Sequence, residues 1–220
     1  MTDAVQRWDD LERAFAARQY DGDRALLASI EPGAREVRPG VFALPARRLP
    51  GTVLTAVHGT NHTRDGRLKL ADRGTGGLAL VLAAATGCGA LVTLGTHGDA
   101  NHDPNHPAKD ALRDLPGVRH VIDLHGAAHR SDSPDIGLGT STGRTPARFV
   151  DALRADLRLA VTVDARHAAK GPHRLASFAQ RHGRRAVQVE VDALARPPAG
   201  SAERRGVLLA ALTDAVRTLC

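Results

Sequence analysis

Apolar positions along the chain recur in two periods, and the switches between them outline the elements. Trp8, Leu11 and Phe15 fall at helical spacing among charged residues, which predicts an N-terminal amphipathic helix lying on the domain. Pro32, Pro39, Pro45 and Pro50 then punctuate a loop region holding one short strand, Val41 to Leu44. From there apolar runs alternate with helical stretches. Strands are predicted over Thr52–Val57, Ala90–Leu94, Val121–Leu124, Leu159–Val163 and Ala186–Val191. Helices are predicted over Thr75–Thr86, closed by Gly87, and over roughly Leu175–Arg181. Another opens at Thr145 as N-cap and Pro146 as first helical residue, with Phe149, Val150 and Leu153 inward. A last one starts near Ser201 with Val207, Leu208, Leu212 and Val216 on one face. Strands alternating with helices predict an α/β fold: three layers, with a mostly parallel or mixed central sheet flanked by helices.

The length of 220 residues suits one such domain, spanning 1–220, and 42% hydrophobic residues suffice for its core. Only 3% are aromatic, so that core is built from Ala, Val and Leu. The formal charge is +6, but the arginines are scattered rather than gathered in a tail, and aromatic stacking platforms are few. An acidic small partner is therefore expected, and no nucleic acid. No run reaches the ~18 apolar residues of a membrane span, so no membrane partner is expected. The start, MTDAVQRWDD, lacks a signal-peptide apolar region, and Cys88 and Cys220 read as free thiols; both favour a cytoplasmic protein.

In parallel sheets, ligands bind beyond the carboxyl ends of strands. His58 and His125 each end a predicted strand and each precede a glycine, so both imidazoles are expected in one crevice. Neutral imidazole is a common zinc ligand, and a catalytic zinc keeps three protein ligands. For the third, Asp72 stands just before the helix that starts at Thr75, as a ligand or as a cap. His62 is the rival, though Gly59 and Thr60 remove helical meaning from its spacing to His58. Asp123, two residues before His125, shares its strand face. It either orients that histidine or pairs with an arginine. The stretch GTHGDANHDPNH, residues 95–106, reads mostly as turns, with Asp99 and Asn101 its preferred functional members, expected to bind substrate. In AVQVEV, Val187, Val189 and Val191 share one face, and Gln188 and Glu190 the other. A central-strand Glu190 near an activated water acts as general base; on an edge strand it would merely face solvent.

The ordered motifs AVHGTNHTRDG, KLADRGTGGLA, VIDLHGAAHRSDSPDIGLGTSTG and AVQVEV resemble the N-formylglutamate amidohydrolase family. More distantly they resemble the zinc carboxypeptidase and acylase superfamily. The resemblance runs from about Val53 to Asp192. It implies one Zn2+ per chain held by His58, Asp72 and His125, with Glu190 acting on the water. It further implies a small acidic amide as substrate, its carboxylate held by an arginine. Arg64, Arg73, Arg130 and Arg144 lie nearest the motifs, and Arg144 and Arg73 are preferred. The chain departs from the wider superfamily at Asn61, where a Glu often follows the first histidine. It is also short for the N-formylglutamate enzymes. The expected activity is a metal-dependent amidohydrolase. The alternatives are a metallo-carboxypeptidase-like or γ-glutamyl peptide hydrolase, and a non-catalytic binding protein on the same fold.

Overall fold

A computed structural model describes residues 2–95, 97–139, 144–163 and 171–219. Cys220 and residues 140–143, the end of the DIGLGTSTG motif, lie outside the described residues. Helix α1 (Thr2–Tyr20) leaves helical geometry at Ala17–Gln19, and α2 (Arg24–Ile30) follows, capped by Asp23. Then come β1 (Arg35–Arg38), β2 (Val41–Leu44), β3 (Leu49–Ala56), the short β4 (His62–Arg64) and β5 (Arg67–Lys69), and α3 (Thr75–Thr86). The middle of the chain supplies β6 (Cys88–Thr93), β7 (His97–Gly98), α4 (Pro107–Asp114), β8 (His120–Ala127) and β9 (Ile136–Gly139). The last part gives α5 (Ala147–Ala155), β10 (Val161–Val163), α6 (Leu175–Arg181), β11 (Arg185–Asp192) and α7 (Ala202–Arg217).

Eight strands form one mixed sheet in the order β1-β2-β6-β3-β8-β11-β9-β10, and β5, β4 and β7 form a small second sheet. The four central strands, β6, β3, β8 and β11, are mutually parallel, and β2 and β9 run antiparallel beside them. Strand β11 is interior, paired on both sides by β8 and β9, so the edge-strand alternative for Glu190 falls away. The three-layer α/β architecture expected from the alternation of elements is the one observed.

Each central strand sends alternate side chains to opposite faces. Leu54, Ala56, Ile122, Leu124, Val187, Val189 and Val191 join α1, α3, α5 and α7 in the larger apolar cluster. Val53, Val57, Val121 and Ala186 face α4 and α6 in the smaller one. On this second face each strand turns from apolar to polar along its direction. The cross-strand rows run Val53, Val121, Ala186, then Thr55, Asp123, Gln188, then His125 beside Glu190. The apolar half is sealed by helices, and the polar half forms the floor of a site at the carboxyl ends.

Most predicted elements stand within one or two residues of their expected limits. Strand β8 continues past His125 to Ala127 because its pairing with β11 runs on to Asp192. Helix α5 starts at Ala147, one residue late: Pro146 adopts φ −73°, ψ 88° and is the N-cap, with no side-chain cap bond. Among the described residues no helix is long and apolar enough to cross a membrane.

The N-terminal helix docks on α3 through Trp8, Leu11 and Phe15, all fully buried. Gly76 and Gly77 permit the close approach: a Cβ on Gly76 would stand 2.4 Å from the Phe15 ring. Gly76→Ala is expected to destabilise the protein by about 1–3 kcal/mol through overpacking. Urea unfolding measures it, and an unchanged midpoint with unchanged slope would refute this packing.

Candidate metal centre

His58 follows β3, His125 stands near the end of β8, and Glu190 near the end of β11, on three adjacent parallel strands. Asp72 reaches the same place from the loop before α3. Its backbone N–H donates to His58 O at 2.7 Å, and its carbonyl accepts from the Thr75 hydroxyl at 2.6 Å. The loop's next residues are held too, by the Trp8 indole N–H donating to Gly74 O at 2.7 Å.

The donor atoms converge. His125 Nδ1 lies 3.1 Å from Asp72 Oδ2, and His58 Nδ1 lies 3.6 Å from the same oxygen. One atom from each of the three residues falls within 4.8 Å of the others. Donors bound tetrahedrally at zinc distances stand roughly 3.4 Å apart, so the set is close to that spacing. The two imidazoles meet edge to face, centroids 5.0 Å apart and planes at 62°, which lets their in-plane lone pairs converge.

The outer nitrogens are occupied by carboxylates. His58 Nε2 lies 2.9 Å from Asp99 Oδ1, and His125 Nε2 lies 3.0 Å from Asp123 Oδ2. Such carboxylate–histidine pairs place the proton on Nε2 and leave Nδ1 as a free lone pair. Asp123 pairs with no arginine among the described residues; it accepts from Thr55 Oγ1 at 2.7 Å and holds His125. Asp99 is 2% exposed and is further bonded by Arg64 Nε at 2.6 Å and by the Asn101 amide at 2.8 Å. Asn101 is buried as well, with Nδ2 3.5 Å from His125 Nε2 and Oδ1 accepting from Leu175 N. Asp99 and Asn101, expected at the substrate, thus lie behind the two histidines.

A second group, His58, His62 and Asp99, also brings donors together. Its rings are stacked at 4.1 Å with planes only 11° apart, so their lone pairs run side by side instead of meeting. Asp99 is also already saturated by Arg64, Asn101 and His58. The geometry therefore favours Asp72 over His62 as the third donor.

Electrostatics agree with a site for a cation. Burial works against charging His58 and His125, yet the carboxylates of Asp72, Asp99 and Asp123 raise both, His125 strongly. Burial likewise opposes charge on Asp72 and Asp99, but the facing imidazoles hold both well below the usual carboxylate range. Burial and the neighbouring His58 push His62 down to about 4, so it is neutral at pH 7. A divalent ion would take the place of the shared protons, since neutral imidazole and ionised carboxylate are the forms that bind one. The chemistry of the donor set fits zinc.

Glu190 pairs in register with His125 and lies half-buried on the same face. Its Oε1 accepts from Gln188 Nε2 at 2.6 Å. It opens into a cleft of about 260 Å³ whose lining includes Arg130, Asp132, Ser133 and Gly137. Of the four arginines, Arg130 therefore lines the cleft, and Arg64 is committed to Asp99. Arg73 lies over the Tyr20 ring, 4.9 Å from its centroid, beside Asp72. Arg144 is not brought to the site. Its carbonyl accepts from Ala186 N and its guanidinium lies by Gly183, at the amino end of β11, opposite to Glu190. The four residue steps from Ala186 to Glu190 span roughly 13 Å.

Two contributions and one role escaped sequence reasoning. Arg64 was among the candidate arginines for a substrate carboxylate, but its hold on Asp99 was not read. The stacking of His62 on His58 depends on the turn between β3 and β4. Arg196, 6% exposed, donates to backbone carbonyls around the site, and nothing in its ARPP context announces this.

No family model matches the chain, and no curated protein matches it by sequence. Solved structures do match. The three-layer α/β fold is shared with several solved hydrolases, three of which are named here. A bacteriophage poly-gamma-glutamate hydrolase is 15% identical, over 84% of this chain and 90% of that one, with a TM-score of 0.53. An N-formylglutamate amidohydrolase from Ralstonia eutropha JMP134 is 17% identical, over 80% and 97%, with a TM-score of 0.50. A metallo-carboxypeptidase from Burkholderia cenocepacia is 14% identical, over 89% and 67%, with a TM-score of 0.51. The resemblance to the N-formylglutamate amidohydrolases and the carboxypeptidase superfamily thus holds at the level of fold.

A pH dependence follows for protein kept metal-free with chelator. The depressed Asp72 and Asp99 contribute stability above their unfolded values near pH 4, lost as pH falls through the folded ones. The raised His58 and His125 contribute below about pH 6.5, and this is lost as pH rises through their folded values. The lowered His62 acts only on the acid side. The Tm should fall as pH rises from about 6.5 towards 8, where the lowered Lys109 amine begins to titrate in the opposite sense, and fall less in His125→Gln. A flat or rising Tm over that range would contradict the pairing.

Proposed function

We propose that the protein is a zinc-dependent amidohydrolase acting on the amide bond of an N-acyl acidic amino acid or a related small substrate. The observation that carries this reading is the convergence of His58, Asp72 and His125 on one point, with Glu190 in register beside His125 on the same face of the neighbouring strand. Zinc held there, one per chain, would polarise the amide carbonyl and make water more acidic. The chain's own residues do the rest. Asp99 and Asp123 hold the imidazoles in the tautomer that ligates, with Asn101 packed behind them; we assign these a positioning role instead of substrate contact. Glu190 accepts the proton of the attacking water and returns it to the departing amine. Its hydrogen bond from Gln188 aims the carboxylate into the cleft.

Arg130, in the wall of the same cleft, is the arginine we assign to a substrate carboxylate. Arg73, beside Asp72, is the second candidate, and Arg144 is set aside by its place at the far end of β11. The likeness to a poly-gamma-glutamate hydrolase favours a second substrate within the same chemistry, a γ-glutamyl peptide. A panel of N-acyl glutamates, γ-glutamyl amides and their neutral counterparts separates the two readings, and preference for neutral substrates would remove the role of Arg130.

The test of the mechanism is Glu190→Gln. Zinc content should stay near that of the parent, while kcat falls by a factor of about 100 or more. Turnover within a few-fold of the parent would remove Glu190 from the proton path.

A further inference from the structure

Asp72 stands apart from the other two metal-site donors because it is carried by a loop. His58 and His125 are fixed by the sheet that holds their strands. The loop before α3 has no such register; the Asp72 N–H bond to His58 O ties it to the end of β3, and its distance from β8 and β11 is set separately. The side chain that spans this gap is Arg196, which follows β11 and is 6% exposed. Its Nε donates to Val191 O at 3.0 Å, at the end of β11. Its Nη2 donates to Ala127 O at 2.8 Å, at the end of β8, and its Nη1 donates to Arg73 O, in the loop itself. One planar guanidinium therefore ties the segment next to Asp72 to the ends of the strands carrying His125 and Glu190. The fork geometry suits three fixed acceptors, where an ammonium is a point charge on a flexible stem.

The surroundings are shaped to admit this group. Gly126, the residue after His125, has no side chain where the guanidinium lies: a Cβ there would stand 2.6 Å from Arg196 Cζ. Gly74, with φ 82°, would set a Cβ 3.2 Å from the Arg196 Cβ. Both glycines of the loop-to-strand junction thus close on the same side chain. Any buried guanidinium must satisfy its N–H donors; here the three acceptors lie in the three segments that must keep register for the site to form, those carrying Asp72, His125 and Glu190.

We propose that Arg196 is a positioning residue of the metal centre, a three-way clamp that fixes the Asp72 loop against the ends of β8 and β11. The inference rests on the proposed zinc site, and the experiment separates the two. Zinc affinity is measured by competition with a chromophoric chelator on folded protein, for the parent, Arg196→Lys, Gly126→Ala and a control, Leu212→Ala. Leu212 is a fully buried residue of α7, so its truncation weakens the fold without touching the clamp. Arg196→Lys should bind zinc about tenfold to a hundredfold more weakly than the parent. Leu212→Ala, measured below its own Tm, should keep the parent affinity. Gly126→Ala, which displaces the guanidinium while keeping its charge, should show the loss seen in Arg196→Lys and serves as the deciding variant should the lysine form not fold. Parental zinc affinity in a folded Arg196→Lys or Gly126→Ala would overturn the clamp. An equal loss in Leu212→Ala would overturn it too, by reducing the effect to general stability. A parent that binds no zinc would instead refute the metal centre.

Discussion

Two imidazoles and three aspartates share a buried space at the carboxyl ends of β3 and β8, and the surrounding structure is organised to make that tolerable. Isolated charges are costly to bury, and carboxylates so placed require partners. Each here has them: Asp72 faces both imidazoles, Asp99 takes His58, Arg64 and Asn101, and Asp123 takes His125 and Thr55. The imidazoles are the shared element of this network. A cation placed between their inner nitrogens would find three donors aimed at it and two carboxylates supporting them from behind.

The sheet supplies the precision. Its central strands present apolar side chains to α4 and α6 at their amino halves and polar ones at their carboxyl halves, in the same register across β3, β8 and β11. The face is thus sealed at one end and chemically active at the other. The opposite face, beyond the polar row Thr52, His120 and Arg185 at the amino ends, is apolar and packs α1, α3, α5 and α7, with glycines of α3 admitting Trp8 and Phe15. Trp8 in turn donates to Gly74, beside the Asp72 loop, so the N-terminal helix contributes to the site as well as to the core.

Much of this was legible in the sequence. Apolar runs ending in His-Gly marked both histidines, and the valine alternation of AVQVEV put Gln188 and Glu190 on one face. What was not legible depends on contacts distant along the chain. The pairing of β11 with β9 as well as β8, which makes Glu190 interior, is set by sheet order and not by local pattern. Arg144 looked near the site because it follows a motif. The antiparallel return of β9 beside β11 carries the chain away from the carboxyl ends, and so brings Arg144 to the amino end. Asp99 and Asn101 were preferred as substrate contacts from their place in a turn-rich stretch, yet both are buried behind the histidines. Arg196 carries no pattern at all, because its partners are backbone carbonyls.

The measurement that bears most directly on this account is elemental analysis of the untagged protein, beside His58→Ala and His125→Ala. The account predicts about one zinc per chain in the parent and little in either variant. A parent that holds no metal after zinc addition, or variants that hold as much as the parent, would contradict it.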